Sequence, residues 1–357
     1  MKLIHCSDFH LDSALGSNFS PAEAKSRNGE ICATFGRVAC YAQREQVGAV
    51  LIAGDLFDSP HASRQTVEYV LSQIRGAENV TFFYLRGNHD GRRDAFDGFE
   101  LPANLVCFSE DWTSYTCGDV RITGRTLNCT SGMDLTASLR LRAEDCNIVM
   151  LHGELSAQSG GEQIALRDLK NQNIDYLALG HIHSFRQGKL DERGVYCYCG
   201  CVEGRGFDEC GEKGFVLLET AAGGIRSQFI SFARRTLHDV QVDITGAQTV
   251  PQLLGCMKQA STGIPQEDLV KFTLQGSYTT QTQKDLPFLQ KLLEEDFYLV
   301  KIKDESRLEL PRENYEFDIS LKGEFIRLVL ASDLPEEEKE RVAACGIRAL
   351  MGEEVAV

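Results

Sequence analysis

Asp8 and His10 stand two residues apart across Phe9, in a stretch from His5 to Ser13 that reads HCSDFHLDS. An aspartate and a histidine at that spacing can offer one oxygen and one nitrogen to a single metal ion. The same residues also read as a short buried strand running into a polar turn, where Asp and Ser form local hydrogen bonds. Distant partners decide between the two. Four further segments supply them: Asp55 in GDLFD, Asn88 and His89 in GNHD, His152 in LHGE, and His181 and His183 in GHIH. Asp8, His10, Asp55, Asn88, His152, His181 and His183 together make seven oxygen and nitrogen donors, enough for two divalent ions if one carboxylate bridges them. Two such ions, about 3.5 to 4 Å apart, clamp the attacking and leaving oxygens of a phosphoryl displacement. The set contains no cysteine, so its mixed ligation favours manganese or iron over a thiolate zinc site. Glycines beside Asp55, Asn88, His152 and His181 permit the tight turns that bring such side chains together.

These residues need elements to position them. KLIHCSD, AVLIAGD, TFFYLRGNHD, NIVMLHGE and IDYLALGH are short apolar runs that end abruptly in Gly, Asp, Asn or His, a pattern that suits buried strands. Helical spacing lies between them, at Ile31, Phe35, Val38, Ala39 and Ala42, and again at Val67, Val70, Leu71 and Ile74 behind a cap at Ser63. Leu135 to Leu141 and Leu166 to Leu169 read as shorter helices. Strands alternating with helices imply an α/β layered domain whose sheets are buried on both faces. Each strand delivers its polar residues at its carboxyl end, where ligands gather in such sheets. After His183, GVYCYCG, GFVLLET and IRSQFISF read as strands of an antiparallel meander that completes the first domain. Near Asp239 to Gly246 the chain leaves that domain. The rest alternates helices (Val250 to Met257, Leu286 to Leu293, around Phe325 to Leu330, Glu336 to Leu350) with strands (Leu269 to Leu274, Tyr298 to Ile302). The expected division is therefore 1–238 and 239–357, the second part a smaller α/β domain.

A chain of 357 residues is long enough for one large or two ordinary domains, and 43% hydrophobic with 25% charged residues is the composition of a folded protein. It contains no apolar run of about 18 residues, and MKLIHC enters the first strand without a basic segment and apolar core. The expectation is a cytoplasmic protein without a membrane span. Thirteen cysteines in such a chain are expected as reduced thiols. Cys197, Cys199 and Cys201 alternate in YCYCGC and are expected as small half-buried strand residues rather than a thiolate zinc site. The formal charge of -15 argues against a generally basic surface for nucleic acid, and residues 241–357 carry 13 Lys and Arg against 21 Asp and Glu. Any attraction for DNA must come from local basic groups, metal ions or a partner.

Taken in order, DxH, GDxxD, GNHD, HG and GHxH resemble the calcineurin-like metallophosphoesterase superfamily, over roughly the first 235 residues. The opening KLIHCSDFHLDS, GDLFDSP and YCGCVEGRGFDECGEKGFVLLE most resemble its SbcD/Mre-type DNA repair nucleases, and the HLDS variant resembles the YhaO-like bacterial branch. The resemblance implies a layered sandwich of two mixed β-sheets flanked by helices, the nuclease domain, followed by a capping domain. It implies that Asp8, His10 and His183 hold the first ion, that Asn88, His152 and His181 hold the second, and that Asp55 bridges. A water bridging the ions attacks the phosphorus, and His89, adjacent to a ligand, contacts the scissile phosphate and protonates the leaving oxygen. Imidazole suits that task because its ordinary pKa lies near neutrality. The implied activity is a manganese-dependent (or iron-dependent) phosphodiesterase, an exonuclease or endonuclease that binds DNA in DNA repair. The implied partners are DNA, a coiled-coil ABC ATPase of the SbcC type on a separate chain, and a second copy in a dimer. This chain has no GxxxxGK[ST] and no long heptad run, so an ATPase would be another polypeptide.

Other residues read more plainly. His5 is expected as a packed strand histidine, His61 and His238 as surface groups or residues that support ligands from behind, and Asp58 and Asp90 as residues that orient ligands. Arg92, Arg93 and Arg205 read equally as phosphate-binding groups and as solvated loop arginines. Beside the nuclease reading stands a phosphoesterase acting on a small molecule or phosphoprotein, which explains the acidic charge more simply. A non-catalytic scaffold is a third reading, and the complete ligand set with His89 weighs against it.

Overall fold

The computed structural model describes residues 1–16, 19–91, 95–127, 135–136, 138–159, 161–221, 224–279, 282–309, 315 and 317–350. The chain forms two compact units, Met1–Thr236 and Leu237–Val357.

The bounded apolar runs of the first unit form strands. One mixed sheet contains β1 (Lys2–Cys6), β2 (Ala49–Ala53), β3 (Thr81–Leu85), β4 (Leu105–Cys107), β13 (Gly214–Ala221) and β14 (Gly224–Ser231), in the order β14-β13-β1-β2-β3-β4. The other contains β5 (Thr113–Cys117), β6 (Val120–Gly124), β7 (Cys146–His152), β10 (Tyr176–Gly180), β11 (Arg186–Lys189) and β12 (Val195–Tyr198), in the order β11-β12-β10-β7-β6-β5. A small parallel pair, β8 (Glu154–Ser156) and β9 (Gln163–Ala165), follows β7. Within the sheets β1, β2, β3 and β4 run parallel, as do β6, β7, β10 and β12, so the site-bearing strands of each sheet end on one side.

The two sheets bury a shared core. Leu3, Leu51, Phe83 and Val216 of the first meet Ile122, Ile148, Met150, Tyr176 and Ala178 of the second. Alternate residues face outward and are buried as well, because α1 (Pro21–Arg44) and α2 (Arg64–Gly76) cover the first sheet, with Tyr41 of α1 against Phe215 of β13. Helix α2 starts on the expected cap at Ser63, and α1 starts on Ser20, with a capping box completed by Glu23. The outer face of the second sheet is covered by α3 (Leu166–Leu169) and by Leu135 and Leu139. The described part of 135–141 forms turns and not the expected helix, since burying two leucines on a sheet does not require helical backbone.

The expected meander also needs correction. Only β13 and β14 pair as a hairpin; β12 lies in the other sheet, parallel to β10, and places Cys197 in the inter-sheet core. Cys197, Cys199 and Cys201 are accordingly fully buried, not half-buried, and burial pushes Cys197 up to about 11. A thiol held protonated in this way is the opposite of a zinc-ligating thiolate.

One buried ion pair ties α1 to the loop after β12. Arg27 donates to Glu203 at 2.5 Å and to the Gly204 carbonyl at 2.8 Å, and Glu203 also accepts from Thr34 and from the Arg234 amide. Both side chains are about 1% exposed. Glu203→Ala takes the buried partner from Arg27, which keeps Glu30 at 2.9 Å, and strips Thr34 and the Arg234 amide of their acceptor. The expected loss is about 3 kcal/mol of unfolding free energy in urea melts. A loss below about 1 kcal/mol would put the pair in the class of solvated ones.

The second unit has a parallel sheet of β15 (Leu237–Asp243), β16 (Leu269–Gln275) and β18 (Leu299–Asp304), with a small pair β17 (Ser277–Tyr278) and β19 (Arg307–Leu308). Helices α4 (Val250–Ala260) and α5 (Leu286–Leu293) cover one face through Leu253, Met257, Leu289 and Leu293. Helices α6 (Leu321–Leu330) and α7 (Glu336–Leu350) pack on each other around Ile326 and Ile347. The strand β15 replaces the expected departing linker. Its alternation of charged and apolar residues is weak, and only pairing with β16 makes it a strand.

Candidate metal centre

The loops that follow β1 and β2 are zipped together by backbone bonds from Asp8 to Gly54, His10 to Asp55 and Leu11 to Leu56, each 3.0 Å. Asp8, His10, Asp55 and His181 all adopt positive φ, at 54°, 46°, 50° and 101°. Left-handed backbone at non-glycine residues costs energy, and Asp tolerates it better than most. Here it turns four of the seven donors inward. Two glycines are required by contact: a Cβ at Gly54, where φ is +92°, would lie 2.2 Å from Nδ1 of His152, and one at Gly87 would lie 2.2 Å from Oδ1 of Asp55.

The seven expected donors are brought together. His10 Nε2 and His183 Nε2 are 3.2 Å apart, and Asp8 Oδ1 lies 3.7 Å from the latter. Asp55 Oδ2 stands 3.6 Å from His10 Nε2 and 3.4 Å from His152 Nε2, between the two halves of the set. Asn88 Oδ1 is 2.9 Å from His152 Nε2 and 3.2 Å from His181 Nδ1. Three ion-sized clusters of donor atoms result: Asp8, His10 and His183; Asp8, Asp55 and His152; and, toward the rim, His10, Asp58 and His89. The seven expected donors are all buried except His181 and His183, which are partly so, and Asn88, which is exposed at the rim.

The tautomers show that these clusters suit cations. His10 Nδ1 donates to Asp58 at 3.0 Å, His183 Nδ1 to Glu209 at 2.7 Å and His152 Nδ1 to the Ala53 carbonyl at 2.9 Å. Each partner can only accept, so each neutral ring presents its Nε2 lone pair to the centre. Lone pairs of His10 and His183 facing each other, and that of His152 facing Asn88 and Asp55 oxygens, are arrangements that a shared cation satisfies. Electrostatics favour positive charge at the same place, and without an ion the His152 ring itself carries it. Burial alone would lower His152, yet the Asp55 carboxylate beside it raises it to about 9. Burial opposes charge on Asp55, but His152 and His10 hold its carboxyl well below the usual range. Two divalent ions fit these residues; Asp8 belongs to both clusters, and Asp55 lies between His10 and His152.

His89 is the exposed member of the third cluster. Its amide donates to Asp55 Oδ1 at 2.9 Å, its Nδ1 to the Asp58 carbonyl at 3.2 Å, and its ring lies edge-on to His10 at 4.7 Å. Nearly half of the side chain, 45%, is exposed. Its amide and Nδ1 are thus tied to the ligand loops while the side chain reaches solvent.

The remaining residues take the following places. His5 is fully buried beside Tyr176, whose hydroxyl is 3.0 Å from its Nδ1, and burial drives its pKa down to about 3. Asp90 accepts from the amides of Phe57 and Gly87 and so fixes the two ligand loops, while burial raises it to about 7. Asp12 accepts from the Ser63 amide and the Thr66 hydroxyl and anchors the start of α2. His61 is exposed, and His238 pairs with Asp268 in the second unit. Arg205 turns toward the carboxylates of Asp58 and Glu209. Arg92 and Arg93 lie outside the described residues. Sequence reasoning missed Glu209 and Ser7, the latter bonded to Asp8 Oδ2. No local pattern marks Glu209; only the fold brings it to His183.

Paired Asp/His/Asn clusters at the carboxyl ends of parallel strands, in a double-sheet sandwich, define a class of hydrolase that works on phosphoesters through a dinuclear metal centre. Residues 1–185 match the calcineurin-like phosphoesterase family, and the chain belongs to that family. It is similar to an uncharacterized metallophosphoesterase of Bacillus subtilis, YhaO, with 29% identity over 302 residues that cover 78% of this chain and 72% of that protein. It is 27% identical to the SbcD component of the Escherichia coli nuclease SbcCD, covering 63% of this chain and 66% of that protein. It is 25% identical to the DNA double-strand break repair protein Mre11 of Aeropyrum pernix, covering 68% and 64%. The chain thus spans about two thirds of each of these two nuclease-related proteins. Among the described residues no helix is long and apolar enough to cross a membrane.

Proposed function

We propose that this protein is a two-metal phosphodiesterase, a DNA exonuclease or endonuclease subunit that acts in DNA repair. The observation that carries the reading is the donor cluster with an exposed imidazole at its rim, in a chain whose named relatives include a nuclease component and a break-repair protein. Asp8, His10 and His183 would hold one ion, Asn88, His152 and His181 the other, with Asp55 between them. When bound, the two ions, manganese on this reading or iron, polarise the phosphoryl oxygens and supply an activated water. The chain's own residues do the rest. Asp58, Glu209 and the Ala53 carbonyl fix the imidazoles, and the loop bonds of Asp55 and Asp90 fix the distance between the two halves. His89 contacts the scissile phosphate and gives a proton to the leaving oxygen. On this reading residues 1–238 are the nuclease domain and 239–357 the cap.

Partners follow from the same reading: DNA, a separate coiled-coil ATPase of the SbcC type, and a second copy in a homodimer. Phe317, Ile319, Leu321 and Leu328, between 63% and 100% exposed, offer an apolar surface for such a contact. The charge of -15 favours a second reading, a phosphoesterase acting on a small molecule or phosphoprotein. One assay separates the two. With manganese, the protein is expected to degrade linear or single-stranded DNA and to hydrolyse bis(p-nitrophenyl) phosphate faster than the mono-ester. Activity confined to mono-esters would overturn the nuclease reading.

A further inference from the structure

The His10 and His183 rings are held from behind by two carboxylates, and those carboxylates are held by one residue. Arg205 Nη1 donates to Asp58 Oδ1 at 3.0 Å, the oxygen that also receives His10 Nδ1. Its Nη2 and Nε donate to Glu209 Oε1 at 2.9 and 3.2 Å, the oxygen that receives His183 Nδ1, and its own amide donates to Glu209 Oε2 at 2.7 Å. The contacts close into a ring: His10, Asp58, Arg205, Glu209, His183, and back to His10 across the 3.2 Å gap between the two Nε2 atoms. The Arg205, Asp58 and Glu209 side chains are 18%, 24% and 5% exposed, so these charge-assisted bonds are largely shielded from water.

We propose that Arg205 is a positioning residue for the first ion: it fixes the relative placement of Asp58 and Glu209 and thereby the His10–His183 jaw. This rests on the two-ion reading above and gives Arg205 a task other than substrate binding, since its guanidinium is already committed to protein carboxylates. The planar fork matters because it reaches two carboxylates at once, which a lysine ammonium cannot do with the same geometry.

Charge and placement predict opposite signs for its removal. The guanidinium lies 3.4 Å from His183 Nδ1, close to where a cation would bind, and by charge alone it repels that cation. If Arg205 acted only as a charge, Arg205→Met would strengthen metal binding. If it positions the jaw, Arg205→Met weakens one ion by about 10 to 100-fold, the usual cost of losing a residue that orients a ligand, and leaves the other in place.

Manganese titration calorimetry on the full chain, with electron paramagnetic resonance to separate coupled dinuclear from mononuclear manganese, reads both quantities. The expected result is a weakened first step in Arg205→Met, a mononuclear signal at manganese levels that give the wild type a coupled one, and partial recovery in Arg205→Lys. Two ions bound with unchanged or tighter affinity would overturn the proposal. His183→Ala is the control for the underlying reading: loss of one ion there, beside full occupancy in Arg205→Met, refutes the positioning role alone, whereas two ions retained in His183→Ala refutes the two-ion assignment itself. Should Arg205→Met fail to fold, Arg205→Lys carries the same comparison, with wild-type or tighter affinity as the overturning result.

Discussion

His89→Asn is expected to lower the turnover of DNA by about 10² to 10⁴-fold, the usual contribution of a positioned proton donor, while both ions stay bound. The separation follows from geometry. His89 contributes its amide to Asp55 and its Nδ1 to the Asp58 carbonyl, so its ring is held without serving as a donor to the centre. With Nδ1–H engaged, Nε2 is the nitrogen left for a phosphoester, and 45% of the side chain is open to solvent. Asparagine keeps the amide bond to Asp55 and loses only the proton. The leaving group supplies a sharper criterion. A sugar alkoxide needs protonation as it departs, whereas p-nitrophenolate leaves well as an anion, so the defect should shrink on bis(p-nitrophenyl) phosphate. Equal losses on both substrates, or loss of metal from the variant, would refute the role of proton donor.

The site is legible in the sequence because each donor follows a short apolar run, and five such runs in one chain fix which acids and histidines share a destination. Asp8 and His10 alone are ambiguous; Asp55, Asn88, His152, His181 and His183 remove the ambiguity. What supports them is less legible. Asp58 and Asp90 are near ligands in sequence and read as orienting groups, but Glu209 is 26 residues beyond His183 and becomes its partner only through the turn after β12. Arg205 reads as a loop arginine because one of its acceptors, Asp58, is 147 residues away, and its other acceptor, Glu209, four residues on, sits in no recognisable helical pattern. Among the elements, β5 and β15 are hidden for a related reason. TSYTC has no buried residue and LHDVQVD is interrupted by His238, Asp239, Gln241 and Asp243, so neither has the apolar signature of a buried strand. Pairing with β6 and β16, which local composition does not encode, makes them strands. The position of β12 repeats the lesson: Cys197 is buried because its strand runs beside β10, not beside the hairpin that follows it in sequence.

Asp55→Asn should remove both ions and with them all metal-dependent activity. The carboxylate is 2% exposed and faces His10 on one side and His152 on the other, so its negative charge serves both clusters. Asparagine preserves size and an oxygen for the His89 amide, and therefore the loop, but the charge is gone. The remaining buried Asp8 cannot neutralise two divalent cations alone, and an uncompensated cation in a buried site is costly. Stability provides a readout independent of catalysis. An ion that binds only the folded state contributes RT ln(1 + [L]/Kd), about 2.7 kcal/mol at 100 times Kd. Manganese should therefore raise the melting temperature of the wild-type protein, a chelator should reverse the rise, and Asp55→Asn should show neither shift. His89→Asn should keep the full manganese-dependent rise despite its lost turnover. A manganese response retained in Asp55→Asn would remove Asp55 from the shared position, and loss of the response in His89→Asn would move His89 from proton donor to ligand.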